Sequence, residues 1–467
     1  MRIETFKSPD WTLVGVVSAI VLTFLLLSKG SILMIAAPMV VAIGLFLTIN
    51  YRESLPLVFL IATYFILRNT AGLNIGEIIF YSSMLMLLVF VLIPDILKLD
   101  LKYENKIDTL FFLLYGMVLY GVFIGLLQRN SVPVLLIDGS IYAAVLGYFP
   151  FRKYLSNPKN RDWFLGAVLL IIILVCIRNF VNYRQIIIQA TMAWELELAR
   201  SAVNEIIILM GCVVALVLFS YAKTLTMRLS WGVMLTFLML GLILTQSRGF
   251  WVTFALSTAV FLYFADTKER IFAISLISAI FIGVALVVLI FFYDLLEIII
   301  YGFQTRILSL LEAGQDVSLM ERVVESRTVM KEVVENPIAG HGLGSQYIRH
   351  NMLFGNVYKP AHYIHNGYIF LWYKFGIIGL ILMPALYLTL ARYAYLCFKH
   401  HSVDLYRQVS LGIMCIILPA MILNMTSPLY SMFDGLFFIT LSGAFIASIY
   451  EDIKHKVTPL FFDKSTS

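Results

Sequence analysis

Apolar residues in this chain gather in long unbroken runs, not in the period-2 or period-3.6 patterns of half-buried strands and helices. WTLVGVVSAIVLTFLLL, from Trp11, and WFLGAVLLIIILVCI, from Trp163, carry no charge. An α-helix needs roughly 20 mostly apolar residues to cross the hydrocarbon of a bilayer. Such runs predict spans at 11–28, 31–49, 55–69, 77–97, 108–127, 133–149, 162–182, 202–222, 229–246, 249–266, 271–297, 366–397, 407–426 and 431–450. The two short runs, 55–69 and 133–149, set the total at 12–14. The expected fold class is all-α: a polytopic transmembrane helical bundle with one long extracytoplasmic loop that contains an amphipathic helix.

Polar residues between the runs give the orientation. Lys and Arg near helix ends are retained in the cytoplasm. With the N-terminus inside, the inner connections hold Lys98, Lys102, Lys106; Arg152, Lys153, Lys159, Arg161; Lys223, Arg228; Lys268, Arg270; and Lys399, Arg407. The short outer connections SKG, RNTAGLNIG and LQRNSVP hold one basic residue each. Both termini are then cytoplasmic, which requires an even number of spans. MRIETFKSPD and the apolar run behind it read as a retained first span, because no A-x-A-like cleavage site follows.

One connection is far longer than the rest. The reading divides the chain into a transmembrane bundle of about 11 spans (1–297), an extracytoplasmic catalytic loop (298–365), C-terminal spans (366–450) and a cytoplasmic tail (451–467). Long loops are often functional. Within this one, SLMERVVESRTVMKEVVENP predicts an amphipathic helix, with Ser318 and Glu321 as a capping box and Pro337 as its stop. Its apolar stripe is Met320, Val323, Val324, Met330, Val333 and Val334, and its charged face reads as solvated. GHGLGS follows as a turn.

Composition agrees with this picture: 61% of the 467 residues are apolar, 13% are charged, and the mean hydropathy is +0.90. The net charge of +6 does not imply nucleic-acid binding. Cys176, Cys212, Cys397 and Cys415 form no CxxC and suggest neither zinc nor disulfides.

Candidate chemistry concentrates on the outer side. His365, in HYIHNGYIFLWYKFGIIGL, is either an interfacial polar residue beside the aromatic belt of Tyr363, Tyr368, Trp372 and Tyr373 or a general base at the lip of the bundle. His341, His350 and His362 are its rivals. His362 and His365 have no carboxylate near in sequence, so no metal site is expected. Arg248 interrupts two apolar runs in LILTQSRGFWVTF and is either snorkelling or an anion site; a guanidinium grips phosphate oxygens in pairs. Arg200, with Asn204 one turn deeper, stands at the outer mouth of another span, and Arg322 and Arg327 lie on the loop helix.

The order QSRGFW, then ERVVESRTVMKEVVENPIAGHGLGS, then HNGYIFLWYKFGIIGL resembles the O-antigen ligase/polymerase superfamily over roughly residues 200–380. The resemblance implies a metal-independent, inverting glycosyltransferase of the bacterial inner membrane that uses no cofactor. Its donor would be an undecaprenyl-diphosphate-linked glycan and its acceptor a glycan or lipid A core, with membrane lipids and envelope-assembly proteins as further partners. Lipopolysaccharide and exopolysaccharide synthesis are both served by such enzymes. It also implies that His365 is the essential histidine, that Arg248, Arg200 and Arg322 bind the diphosphate, and that Asn366 and Tyr368 support the site. One departure is Lys374, where members often carry an acid. The rival from another class is a lipid-linked oligosaccharide flippase, for which Glu77, Asp138, Glu205 and Asp434 would be coupling charges. A non-catalytic subunit of an envelope-assembly complex is a third reading.

Overall fold

The computed structural model describes residues 55–67, 75–98, 101, 103–189, 204–291, 317–351 and 357–454. The spans predicted at 11–28 and 31–49 lie outside the described residues, as does Arg200. The chain forms two compact units, Met1–Asp100 and Leu101–Ser467. In the first, α1 (Leu55–Ile66) packs on α2 (Ile75–Leu87), with the Phe59 and Phe80 ring centroids 5.5 Å apart. A π turn, Leu88–Leu92, joins α2 to α3 (Ile93–Leu97). Pro94 explains the turn, because it has no N–H to donate and its ring crowds the carbonyl four residues back.

The second unit begins with α4 (Lys106–Leu127), capped by Asn105 and Asp108 in a reciprocal box. Next come α5 (Val132–Ile141), a 3-10 turn at Tyr142–Gly147, and α6 (Tyr148–Tyr154). Then follow α7 (Pro158–Gln189), α8 (Glu205–Ser220), α9 (Leu225–Leu244), α10 (Arg248–Phe264) and α11 (Thr267–Phe291). The loop region holds α12 (Val317–Glu335) and a hairpin of β1 (Tyr347–Asn351) and β2 (Val357–Ala361). The chain then returns through α13 (Gly367–His400), α14 (Asp404–Leu423) and α15 (Phe433–Glu451). Among the described residues, eight helical stretches are long and apolar enough to cross a membrane. The protein is an all-α polytopic helical bundle, and the described residues of each predicted span from 55–69 onward fall mainly on helix.

α15 lies at the centre, buried from Asp434 to Ile449. Its C-terminal end is held by buried arginines. Arg152 lies 3.3 Å from Glu451 and 3.4 Å from Asp108, and Arg161 pairs with Asp452, which His401 also approaches at 3.3 Å. Burial tends to raise the Asp452 carboxyl, but His401 and Arg161 outweigh it and bring it down to about 2.

The opposite end is built by a glycine. At Gly376 (φ +63°, ψ −155°) α13 leaves helical geometry. In an unbroken helix the N–H of Ile377 would bond to the carbonyl of Tyr373, four residues back. Here Ile377 donates instead to the carbonyl of Ile338 (3.3 Å), while the N–H groups of His341 and Gly342 take the carbonyls of Tyr373 (2.7 Å) and Lys374 (2.9 Å). The segment 338–344 is thus threaded into the break. Leu343 N–H donates to Gly121 O (2.9 Å), Gly344 N–H to Asp138 Oδ2 (2.8 Å), and the Asn130 amide to the carbonyls of His341 and Leu343. Gly340, Gly342 and Gly344 all have positive φ. GHGLGS is a turn, as expected, but the N–H groups of residues 341–344 are all used inside the bundle, so they form no phosphate nest.

Two expectations for the loop are corrected. Ser318 follows Val317 in the described helix, so it is not the residue at which α12 starts. Nor is the charged face wholly solvated: Glu321 and Glu325 are buried in line with Val329 and Val333, whereas Val323 and Val334 of the apolar stripe are exposed. Spacing of four places these residues on one face, and two of them are acids with partners in the interior. The hairpin, registered Tyr347 to Ala361, was not anticipated.

A Cβ at Gly376 would run into the Ile338 carbonyl, at a φ that L-residues rarely adopt. Gly376→Ala is therefore expected to lower stability by about 1–3 kcal/mol or more, measured as a drop in the thermal midpoint of the purified protein in detergent.

Candidate active site

The start of α13 is moored before it carries any chemistry. The Asn366 side chain accepts from the N–H groups of Tyr368 (3.0 Å) and Ile369 (3.1 Å), an N-cap. Gly367 N–H donates to Asn424 O (2.8 Å), and the Tyr368 hydroxyl donates to Met421 O (2.8 Å). Asn366 therefore caps this helix start, Gly367 and Tyr368 tie it to the end of α14, and His365 stands at the position just before the cap.

His365 meets a carboxylate. Its Nδ1 lies 2.9 Å from Glu325 Oε2, and its backbone N–H donates to the same oxygen at 2.8 Å. The other oxygen, Oε1, lies 2.6 Å from the Tyr347 hydroxyl and 3.6 Å from Arg349 Nε. The Glu325 side chain is 2% exposed and that of His365 is 23% exposed, so the acid is sealed and the ring faces an opening. Burial tends to raise the Glu325 carboxyl, but hydrogen bonds from His365 and Tyr347, with the His365 charge, outweigh it and hold it below the usual carboxylate range. Burial, then the charge of Glu325, pushes the Tyr347 hydroxyl up. The Tyr363 ring stands edge-on to His365, with centroids 5.1 Å apart.

Cations border the same helix end. Arg322, on α12, donates from Nη1 to Thr426 O (2.7 Å). Arg248 is the first residue of α10 and is half-buried. Beside it, a Cβ on Gly249 would lie 2.9 Å from Leu423. Gly249, Arg322 and the His365–Gly367 entry thus adjoin Leu423, Thr426 and Asn424 in turn, at one end of α14, with Arg248 directly preceding Gly249. The Tyr363 hydroxyl is raised by burial and by the charge of Asp434, and Arg322 works against that rise, so these charges reach the wall beside His365. Sequence reasoning passed over Arg178, which donates from Nη2 to Asn204 Oδ1 (2.9 Å), while the Asn204 amide reaches Asp434 at 3.4 Å.

Two of the rivals of His365, His341 and His362, have partners of their own. His341 Nε2 lies 2.9 Å from the Glu332 carbonyl, and its ring stacks on Tyr373. His362 Nδ1 lies 2.8 Å from Asp138 Oδ1. Asp138, 1% exposed, also takes the ammonium of Lys374 at 2.7 Å, and Lys374, wholly buried, donates to Ser345 O at 2.6 Å. The departure at Lys374 is therefore an interior ion pair, with Asp138 as its counter-charge. Glu325 was missed because it was read as part of a solvated face; the four-residue spacing of Glu321, Glu325, Val329 and Val333 was the available signal. Among the described residues, no group of three or more His, Cys, Asp or Glu is arranged to hold a metal ion.

Fold and site together define a multi-pass helical membrane protein whose loop helix and bundle share a histidine–carboxylate pair. Residues 231–383, about a third of the chain, match the family model described as O-antigen ligase. This interval includes Arg248, α12, the glycine segment and His365, and it bears out the resemblance to the O-antigen ligase/polymerase superfamily. At the level of the family, the match supports an enzyme that transfers glycans. No curated protein matches the chain.

The depressed Glu325 carboxyl carries a pH signature. A group whose folded-state pKa lies below its unfolded value, about 4.3 for Glu, adds stability that is present above that value. This stability is lost as pH falls through the folded-state value. Thermal midpoints of the wild type are expected to fall more steeply with acid across this window than those of Glu325→Gln; parallel curves would contradict the pairing.

Proposed function

We propose that this protein transfers a glycan from undecaprenyl diphosphate to an acceptor hydroxyl at the outer face of the bacterial inner membrane. The observation that carries the reading is the placement of the His365 ring, held by a buried acid, at the α14 end that Arg322 and Gly249, the residue after Arg248, also border; His365, Glu325, Arg248 and Arg322 all lie within the O-antigen ligase match. The topology rests on charge. Lys106, Arg152, Lys153, Lys159 and Arg161 lie at the end of the second unit opposite His365, and the positive-inside rule assigns that end to the cytoplasm.

The reaction runs as follows. The donor diphosphate enters beside Arg248, with Arg322 and Arg200 as further cations. His365 Nε2 takes the proton from the acceptor hydroxyl. The hydroxyl oxygen bonds to the anomeric carbon as the bond to the diphosphate breaks on the far side, so the configuration inverts. The electron pair leaves on the diphosphate, whose growing charge the guanidinium groups stabilise. The loop 298–365 serves as the catalytic segment and 1–297 with 366–450 as the membrane frame. The reaction as proposed needs no metal or cofactor.

Purified protein in lipid nanodiscs, given lipid-linked glycan and acceptor, tests this. His365→Ala is expected to cost roughly 10²–10⁴-fold in rate while donor still binds, and Arg248→Ala roughly 10²–10³-fold. Unchanged transfer by His365→Ala would remove it as the base. Movement of intact lipid-linked glycan across vesicle membranes without bond cleavage would identify a flippase instead.

A further inference from the structure

We propose that Glu325 is the positioning residue for His365, holding the ring in one tautomer and stabilising the cation that the ring becomes. The inference rests on the reading of His365 as the base. A neutral imidazole has two tautomers, and which nitrogen is basic is decided by the partner of the other. Ionised Glu325 can only accept hydrogen bonds, so Nδ1 carries the proton and Nε2 keeps its lone pair.

Geometry makes this more than a contact. One oxygen, Oε2, accepts from both the ring and the backbone N–H of the same residue, which limits rotation of the side chain relative to its own backbone. The carboxylate is fixed in turn by Tyr347 and Arg349 of β1 through Oε1, so three segments of the loop region close on it. A sealed carboxylate is costly unless paired, and a valine fills the same buried stripe at positions 329 and 333. An acid at 325 adds nothing to packing that an apolar side chain would not. What it adds is a fixed negative charge 2.9 Å from Nδ1. When Nε2 accepts the acceptor's proton, the ring becomes a cation beside that charge, and Glu325 stays ionised throughout.

Other charged or titratable groups face this pair. Tyr347, Arg349 and Glu321 do so from the loop, Tyr363 stands on the His365 ring, and Asp434, Arg322 and Glu205 act on Tyr363. None of them changes in the test variants.

The test compares wild type, Glu325→Gln, Glu325→Asp, His365→Ala and the double variant Glu325→Gln/His365→Ala by steady-state transfer in nanodiscs. Glu325→Gln is expected to lose roughly 10²–10⁴-fold in kcat with donor KM nearly unchanged. The acid limb of its pH–rate profile should move to lower pH, because a neutral amide favours a protonated ring less than a carboxylate does. The double variant should be no slower than His365→Ala alone, since a residue acting through His365 has nothing left to act on. Should Glu325→Gln fail to fold, Glu325→Asp decides. It keeps the charge but withdraws it by one methylene, and about a tenfold loss in kcat is expected. Wild-type kcat in folded Glu325→Gln or Glu325→Asp, an unmoved acid limb, or additive losses in the double variant would each overturn the proposal. Full activity in His365→Ala would instead defeat the reading of the base, and this inference with it.

Discussion

The break in α13 at Gly376 is the constraint on which the site depends. A helix that gives up its own hydrogen bonds inside a membrane protein must find other partners for the freed groups. The loop supplies them. Ile338 O, His341 N–H and Gly342 N–H replace the missing helical partners and fix the register between the glycine segment and the bundle. Each such bond is worth only about 0.5–1.5 kcal/mol net, but an unmade one buried in apolar surroundings costs more. The exchange therefore selects one docking position. α12 lies directly before this segment and His365 lies on the return to α13, so the same docking sets where Glu325 and His365 can meet.

Around that frame, ionic groups are arranged in separate clusters with different consequences. Asp138, Lys374 and His362 form an interior group that helps anchor the glycine segment through Gly344. Arg152, Arg161, Asp108, Glu451 and Asp452 secure the far end of the central helix. The Glu325 cluster differs from both in where its partly open member stands: His365 directly precedes the α13 cap, at the α14 end that Arg322 also borders. Partial opening suits the proton exchange proposed for His365, while the sealed acid behind it keeps its charge.

Much of this was legible in the sequence, for physical reasons. Uncharged runs the length of a bilayer have few alternatives to helix, and so the helices from Leu55 onward fall where the runs do. Arg248 at a helix start and His365 before an Asn cap were readable because both interrupt apolar runs. The amphipathic loop helix was readable as a helix, but not by its inward face: hydropathy takes valine as buried and glutamate as solvated, and Val323 and Glu325 reverse that rule. Such a reversal needs partners far apart in sequence, Tyr347 and His365, which periodicity cannot supply. Lys374 was visible as a departure, but its counter-charge, Asp138, lies 236 positions away. The hairpin 347–361 was hidden as well, since two five-residue strands leave little pattern.

The central claim is that a lipid diphosphate and the basic nitrogen of His365 share one chamber. The most direct measurement is a cryo-electron microscopy structure in lipid nanodiscs with a phosphonate analogue of undecaprenyl diphosphate glycan bound. The account predicts the two phosphorus groups against Arg248, with the anomeric carbon turned toward Nε2 of His365. Density for them at the Arg152–Arg161 end, or on a lipid-facing surface out of reach of His365, would contradict it.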